Sequence, residues 1–192
     1  MTQARITNQT LIYDGWYRFS RLEVEMPDGV RVERHLIDNG SAAAVLPYDP
    51  VRRVCMLIEQ PRAGVLAAGE APLLEAIAGN LGGMAPDKRI IEEALEEGGL
   101  RISELEPVTN MWSLCPVSTE RIQLYLTPYS SEDRIGEGGG ALHEDENITV
   151  HEITLDHLRD LVLAGELTDA KTLILAQALL LRRPELWAAS QD

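Results

Sequence analysis

The chain has 192 residues, 45% of them apolar, and sets 17 Lys and Arg against 31 Asp and Glu for a formal charge of −14. That length and apolar share suit one soluble domain, or a core domain with a small appendage. So large an excess of acid repels phosphate backbones and anionic lipid headgroups, which argues against nucleic acid and membrane surfaces as partners. Cys55 and Cys115 are the only cysteines. They are too few for a disulfide framework and lie outside any metal-ligand spacing, so a reduced, cytoplasmic setting is expected. Residues 1–15 lack the apolar core of a signal peptide, and the longest apolar stretch, 172–181, is about half of the ~20 residues a membrane-spanning helix needs.

Alternation over Trp16 to Met26 and again over Val30 to Ile37, with Pro27-Asp28-Gly29 between them, predicts a β-hairpin. The apolar runs Ser41 to Pro47 and Val54 to Ile58, separated by Tyr48-Asp49-Pro50, predict two strands joined by a turn. Ala63 to Ala71 reads as a loop, and Leu73 to Ala78 as a further short strand before Gly79 and Gly82-Gly83. Pro86 suits a first helical turn, and Asp87 to Glu97 places Ile90, Ile91, Ala94 and Leu95 at core spacing before Gly98-Gly99, which predicts a helix. Strands are expected at Pro107 to Ser113, Arg121 to Pro128 and Ile148 to Ile153, with a polar, Gly-rich loop over Ser130 to Asn147. Helical periodicity returns at Leu155 to Ala164 and Ala170 to Arg182. This order predicts an α/β (α+β) fold: a mixed sheet sandwiched between helices, with an N-terminal antiparallel hairpin appendage. The expected division is residues 1–40 for the appendage and 41–192 for the main domain.

The predicted central helix carries Glu92, Glu93, Glu96 and Glu97 within six residues. Glu93 and Glu97 stack one turn apart on one face, with Glu92 and Glu96 beside them. Like charges at this spacing cost helix stability. Two readings are open: a solvated face partly neutralised by Lys88 and Arg89, or a cluster of hard oxygen ligands for Mg²⁺ or Mn²⁺.

Leu74-Glu75-Ala76-Ile77-Ala78-Gly79 through Glu92-Glu93-Ala94-Leu95-Glu96-Glu97-Gly98-Gly99-Leu100 resembles the Nudix box, whose pattern is G-x5-E-x7-R-E-U-x-E-E-x-G-U with U a bulky aliphatic residue. Gly79 matches the opening Gly, Glu93 the first helix Glu, Glu96 and Glu97 the Glu pair, Gly99 the late Gly, and Leu100 the closing aliphatic. The stretch from Gly79 to Glu93 is one residue shorter than the pattern, Met84 stands nearest the place of the loop Glu, and Glu92 replaces the Arg that neutralises and orients the acids in the family. The resemblance extends to Glu33-Arg34-His35 before Gly40, to Leu57-Ile58-Glu59-Gln60-Pro61-Arg62, to Gly138-Gly139-Gly140 leading into His143-Glu144-Asp145-Glu146, and to Gly165-Glu166-Leu167-Thr168-Asp169-Ala170-Lys171-Thr172. Within the Nudix superfamily it is similar to the ADP-ribose and GDP-mannose pyrophosphatases.

The resemblance implies metal-dependent hydrolysis of the pyrophosphate bond in a nucleoside diphosphate sugar, with ADP-ribose ahead of GDP-mannose. Glu93, Glu97 and the backbone carbonyl of Ala78 would ligate Mg²⁺ or Mn²⁺, with Glu146 as an additional ligand and Glu96 sharing in the chemistry. Glu144 is the candidate general base. Arg62 is the candidate for holding the diphosphate through paired charge-assisted bonds, against the alternative of an ion pair with Glu75 or Glu59. Arg34, acting across a homodimer built on the N-terminal strands, and Glu120, after Cys115-Pro116, complete the candidate substrate contacts. Cys115 reads as a structural thiol. A second reading keeps the fold and gives the chain a nucleotide-binding role with weakened catalysis.

Overall fold

The computed structural model describes residues 3–140 and 147–188. The chain divides into two units, residues 1–41 with 111–122, and 42–110 with 123–192.

The first unit is built on a three-stranded antiparallel sheet of β1 (Arg5–Asp14), β2 (Arg18–Glu25) and β3 (Arg31–Asp38), in that order. The predicted hairpin is β2 and β3, in register from Arg18↔Asp38 to Glu25↔Arg31. Its turn closes as the sequence suggests: Gly29 takes φ +85°, and the Asp28 carboxylate accepts the Val30 N–H at 3.0 Å. The strand β1 was not predicted. Its residues are all exposed, and no buried face imposes an alternating pattern on them. Backbone pairing with β2, interrupted by register shifts between Ile6 and Asn8 and between Leu11 and Tyr13, holds it in place.

The main mixed sheet, most of it in the second unit, is ordered β7 (Glu106–Trp112), β8 (Arg121–Pro128), β4 (Ala42–Asp49), β5 (Val54–Glu59), β9 (Thr149–Thr154), with β6 (Ile77–Asn80) paired to β4. All eight residues of β4 are buried, which is why it reads as an unbroken apolar run and not as an alternating one. At one end β4 pairs with β5 through Tyr48↔Cys55 and Asp49↔Val54; at the other it pairs with β6 through Ala42↔Asn80 to Val45↔Ile77. This second pairing fixes Ala78 and Gly79 in the sheet.

The helix α2 (Pro86–Gly98) has Pro86 at its first turn and ends on Gly99 in the left-handed region at φ +66°. It buries Ile90 and Ala94 against Val45, Met56, Ile58 and Ile77, and burying one such isoleucine stabilises the fold by roughly 1.5–3 kcal/mol. Two further helices, α3 (Leu155–Ala164) and α4 (Ala170–Arg182), match the predicted spans and are capped by Thr154 and Asp169, whose side chains accept the backbone N–H groups of His157 and Thr172. The segment expected to be a loop, Ala63 to Ala71, contains a short helix, α1 (Ala63–Ala68), closed by Gly69 at φ +75°. It buries no residue, so no periodic apolar face marks it in the sequence.

Candidate active site

The opening glycine of the predicted motif and the acids of α2 meet through a close approach of backbone and side chain. A methyl group at Gly79 would lie 1.4 Å from Oε1 of Glu93, so the carboxylate occupies the space that any other residue's Cβ would take. One turn further on, Glu97 Oε2 accepts the backbone N–H of Ala78 at 3.1 Å. Glu93 and Glu97 are 5% and 1% exposed, whereas Glu92 and Glu96 are 49% and 38% exposed at the side chain. The four acids therefore separate into a buried pair facing β6 and an outer pair. Unpaired, two buried carboxylates would be costly. Arg89 supplies positive charge to the cluster: its Nη2 lies 2.5 Å from Glu93 Oε1, and its Nη1 lies 3.3 Å from Glu92 Oε2 and 3.5 Å from Glu96 Oε2.

The C-terminal end of α2 is tied down by glycines. Gly139 and Gly140 donate their N–H groups to the carbonyls of Glu97 and Glu96 at 2.9 and 3.0 Å. A Cβ at Gly138 would sit 2.2 Å from the Glu97 carbonyl oxygen. Gly139 and Gly140, within the predicted Gly-rich loop, thus rest on the carbonyls of the helix that carries the acids, satisfying groups a helix end leaves unpaired. His143, Glu144 and Glu146, which the sequence reading assigned to that loop, lie outside the described residues.

Arg62 is taken up by Glu75. Its Nε and Nη2 each donate to one carboxylate oxygen at 2.9 Å, and Lys171 Nζ adds a third contact at 2.6 Å. This is the ion-pair alternative for Arg62, although 41% of its side chain stays exposed. Burial alone would raise the Glu75 pKa, but Arg62 and Lys171 more than offset it and hold the carboxyl below its usual range. Two residues before Arg62, Gln60 is 5% exposed and its Nε2 has no hydrogen-bond partner among the described residues, leaving a buried donor with capacity for an acceptor oxygen.

The other candidate substrate contacts belong to the first unit. Arg34 on β3 is exposed and its Nη1 donates to the Glu33 carbonyl at 2.8 Å. Glu120 accepts the Asn39 side-chain amide at 2.8 Å, and its N–H is held by Ser118 Oγ at 3.1 Å. Cys115 is exposed, against the buried structural role expected of it, while Cys55 is buried and its thiol is pushed far up by burial.

Whether this donor set suits a divalent cation is decided by its chemistry. Among the described residues no group of three or more His, Cys, Asp and Glu side chains converges on one point. Two buried carboxylates separated by one helical turn do suit Mg²⁺, which characteristically takes one or two carboxylates and completes its shell with water and substrate phosphate.

A GDP-mannose pyrophosphatase of Cronobacter sakazakii is 37% identical to this chain over 155 residues, 80% of each protein. The chain belongs to the Nudix hydrolase family. A GDP-mannose pyrophosphatase of Enterobacter sp. is 32% identical over 152 residues, and that of Escherichia coli strain K12 is 28% identical over 179, 90% of this chain and 93% of the relative. No family model matches. The crystal structure of an ADP compounds hydrolase superposes with a TM-score of 0.74, over 95% of this chain and 97% of the other, at 17% identity, which bears on the fold alone. In this Nudix hydrolase the sequence marks Arg89 only as a partial neutraliser beside Lys88, and its i,i+4 spacing from Glu93 is the one signal of the specific pair.

Proposed function

We infer that this Nudix hydrolase cleaves the pyrophosphate bond of a nucleoside diphosphate sugar, releasing a nucleoside monophosphate and a sugar phosphate. The observation that carries the reading is the buried carboxylate pair, Glu93 against Gly79 and Glu97 against Ala78, in a chain 37% identical to a named pyrophosphatase. The names of those relatives support GDP-mannose as the first substrate to test, where the resemblance of the motifs put ADP-ribose first.

Glu93, Glu97 and the carbonyl of Ala78 would hold Mg²⁺ or Mn²⁺, with Glu146 joining them and Glu96 at the outer edge. When bound, the cation offsets the diphosphate charge and lowers the pKa of water. The chain's own residues do the rest. The β4–β6 pairing fixes Ala78 in the sheet, Glu144 takes the proton from the attacking water as general base, and the Gln60 amide donates to diphosphate oxygens together with the exposed part of Arg62, whose Nε and Nη2 stay paired with Glu75. Arg34 and Glu120 complete the substrate contacts, with Arg34 acting across a homodimer. The dimer reading is supported by exposed apolar residues of the first unit, among them Ile6, Leu11, Ile12, Tyr13 and Trp16, the last 84% exposed. No helix among the described residues is long and apolar enough to cross a membrane, and the cytoplasm remains the proposed location.

Incubation with Mg²⁺ and GDP-mannose, ADP-ribose, ADP-glucose or NADH, followed by a phosphatase and phosphate assay, tests this reading. Turnover of a nucleotide sugar that Glu97→Gln lowers at least a hundredfold is the expected result. Nucleotide binding without turnover of any substrate would support the weakened, binding-only reading instead.

A further inference from the structure

Position 92 carries a carboxylate where the Nudix pattern has an Arg, and the substitution leaves four acids within six residues of α2. The structure puts a guanidinium among them from a different position. Arg89 lies one turn before Glu93, and residues 89, 92, 93 and 96 fall along one stripe of a helix. Its side chain is only 19% exposed. One amino group, Nη2, takes Glu93 Oε1 at 2.5 Å; the other, Nη1, lies between Glu92 at 3.3 Å and Glu96 at 3.5 Å. The guanidinium pKa, which burial would lower, is instead raised by Glu93, Glu92 and Glu96. The oxygen that Arg89 engages is the one against which Gly79 has no side chain. Glu93 Oε1 thus sits in the space that Gly79 leaves open and is held there by one arm of the guanidinium, while the other arm faces Glu92 and Glu96.

We propose that Arg89 is the positioning residue of the acidic cluster: it orients Glu93 for cation binding, and Glu92 is the outer anchor that holds the guanidinium in place. Charge and anchor have exchanged positions along the helix. A planar fork is needed because three carboxylates are met by two separate amino groups, which the single ammonium of lysine does not reproduce. The guanidinium also competes with a bound cation for the negative charge of Glu93. Removing it therefore acts in opposite directions on two measurements, strengthening cation binding while degrading the geometry that turnover requires.

The inference rests on the pyrophosphatase reading, and its test separates the two. Mn²⁺ binding to substrate-free protein is measured by calorimetry, and kcat and KM are measured on GDP-mannose with Mg²⁺. Arg89→Gln is expected to tighten Mn²⁺ at least threefold and to lower kcat at least tenfold with KM within threefold. Arg89→Lys is expected to keep Mn²⁺ affinity within threefold of the parent and give an intermediate kcat. Adding Glu92→Arg to Arg89→Gln is expected to restore kcat to within fivefold of the parent. Unchanged Mn²⁺ affinity and kcat in Arg89→Gln, or failure of Glu92→Arg to restore kcat, overturns the proposal. If Arg89→Gln does not fold, the lysine variant decides: parental kcat contradicts the need for a fork. If the parent turns over no substrate, the pyrophosphatase reading fails while the Mn²⁺ comparison still decides whether Arg89 shares charge with the cluster.

Discussion

Gly79 and Glu93 form the most exacting contact of the candidate site, since a single methyl group at position 79 would fall 1.4 Å from the Glu93 carboxylate oxygen. Gly79→Ala should therefore displace the carboxylate by about an ångström and cost roughly a hundredfold in kcat, with melting temperature as the control that the fold survives. Glu75 governs a different property. It is 2% exposed and bonded to both Arg62 and Lys171, and its removal would take away the paired acceptor of Arg62 and leave Lys171 with Asp169, 3.0 Å away. Glu75→Gln should destabilise the protein by about 3 kcal/mol, the low end for breaking a buried pair because Arg62 remains partly exposed. Because the folded Glu75 carboxyl titrates below its ordinary value of 4.5, the ion pair contributes fully above that value. The contribution is lost as pH falls through the depressed folded pKa. Urea unfolding of the parent across pH 3–6 should show this acid loss, and Glu75→Gln should lack its share. The two readings of Arg62 left open by the sequence differ only in what lies within reach of its fork, and pattern does not encode that distance.

At the scale of elements, the helix α2 was legible almost to its ends because proline, core spacing and glycine all act locally on one segment. The strand β1 and the helix α1 were not, because neither has a buried face to impose a period on its residues. The function of the three consecutive glycines was also hidden. The N–H groups of Gly139 and Gly140 close the far end of α2, although two strands and a short 3-10 helix separate them from it in sequence. Gly138 sits at φ +75° with the Glu97 carbonyl 2.2 Å from any added Cβ, so Gly138→Ala should cost about 2 kcal/mol of stability, seen as a fall of roughly 4–8 °C in melting temperature. No change in melting would mean that the loop does not rest on the helix end.

For the whole molecule, the −14 charge acquires a partial address. Two of its carboxylates are buried on one face of α2 with Arg89 as resident cation, and they are the feature that ties the acidity to the family's chemistry. The exposed apolar residues of β1 carry the proposed homodimer, for which sedimentation should give twice the 21.2 kDa chain mass and Ile12→Asp should return it to the monomer. The central claim is that the buried pair on α2 serves cleavage of a nucleotide sugar. Its most direct test is hydrolysis of GDP-mannose by the purified protein with and without Mg²⁺, comparing the parent with Glu97→Gln. Release of GMP and mannose 1-phosphate that requires the cation and falls at least a hundredfold in Glu97→Gln is the predicted result; release unaffected by either change would contradict it.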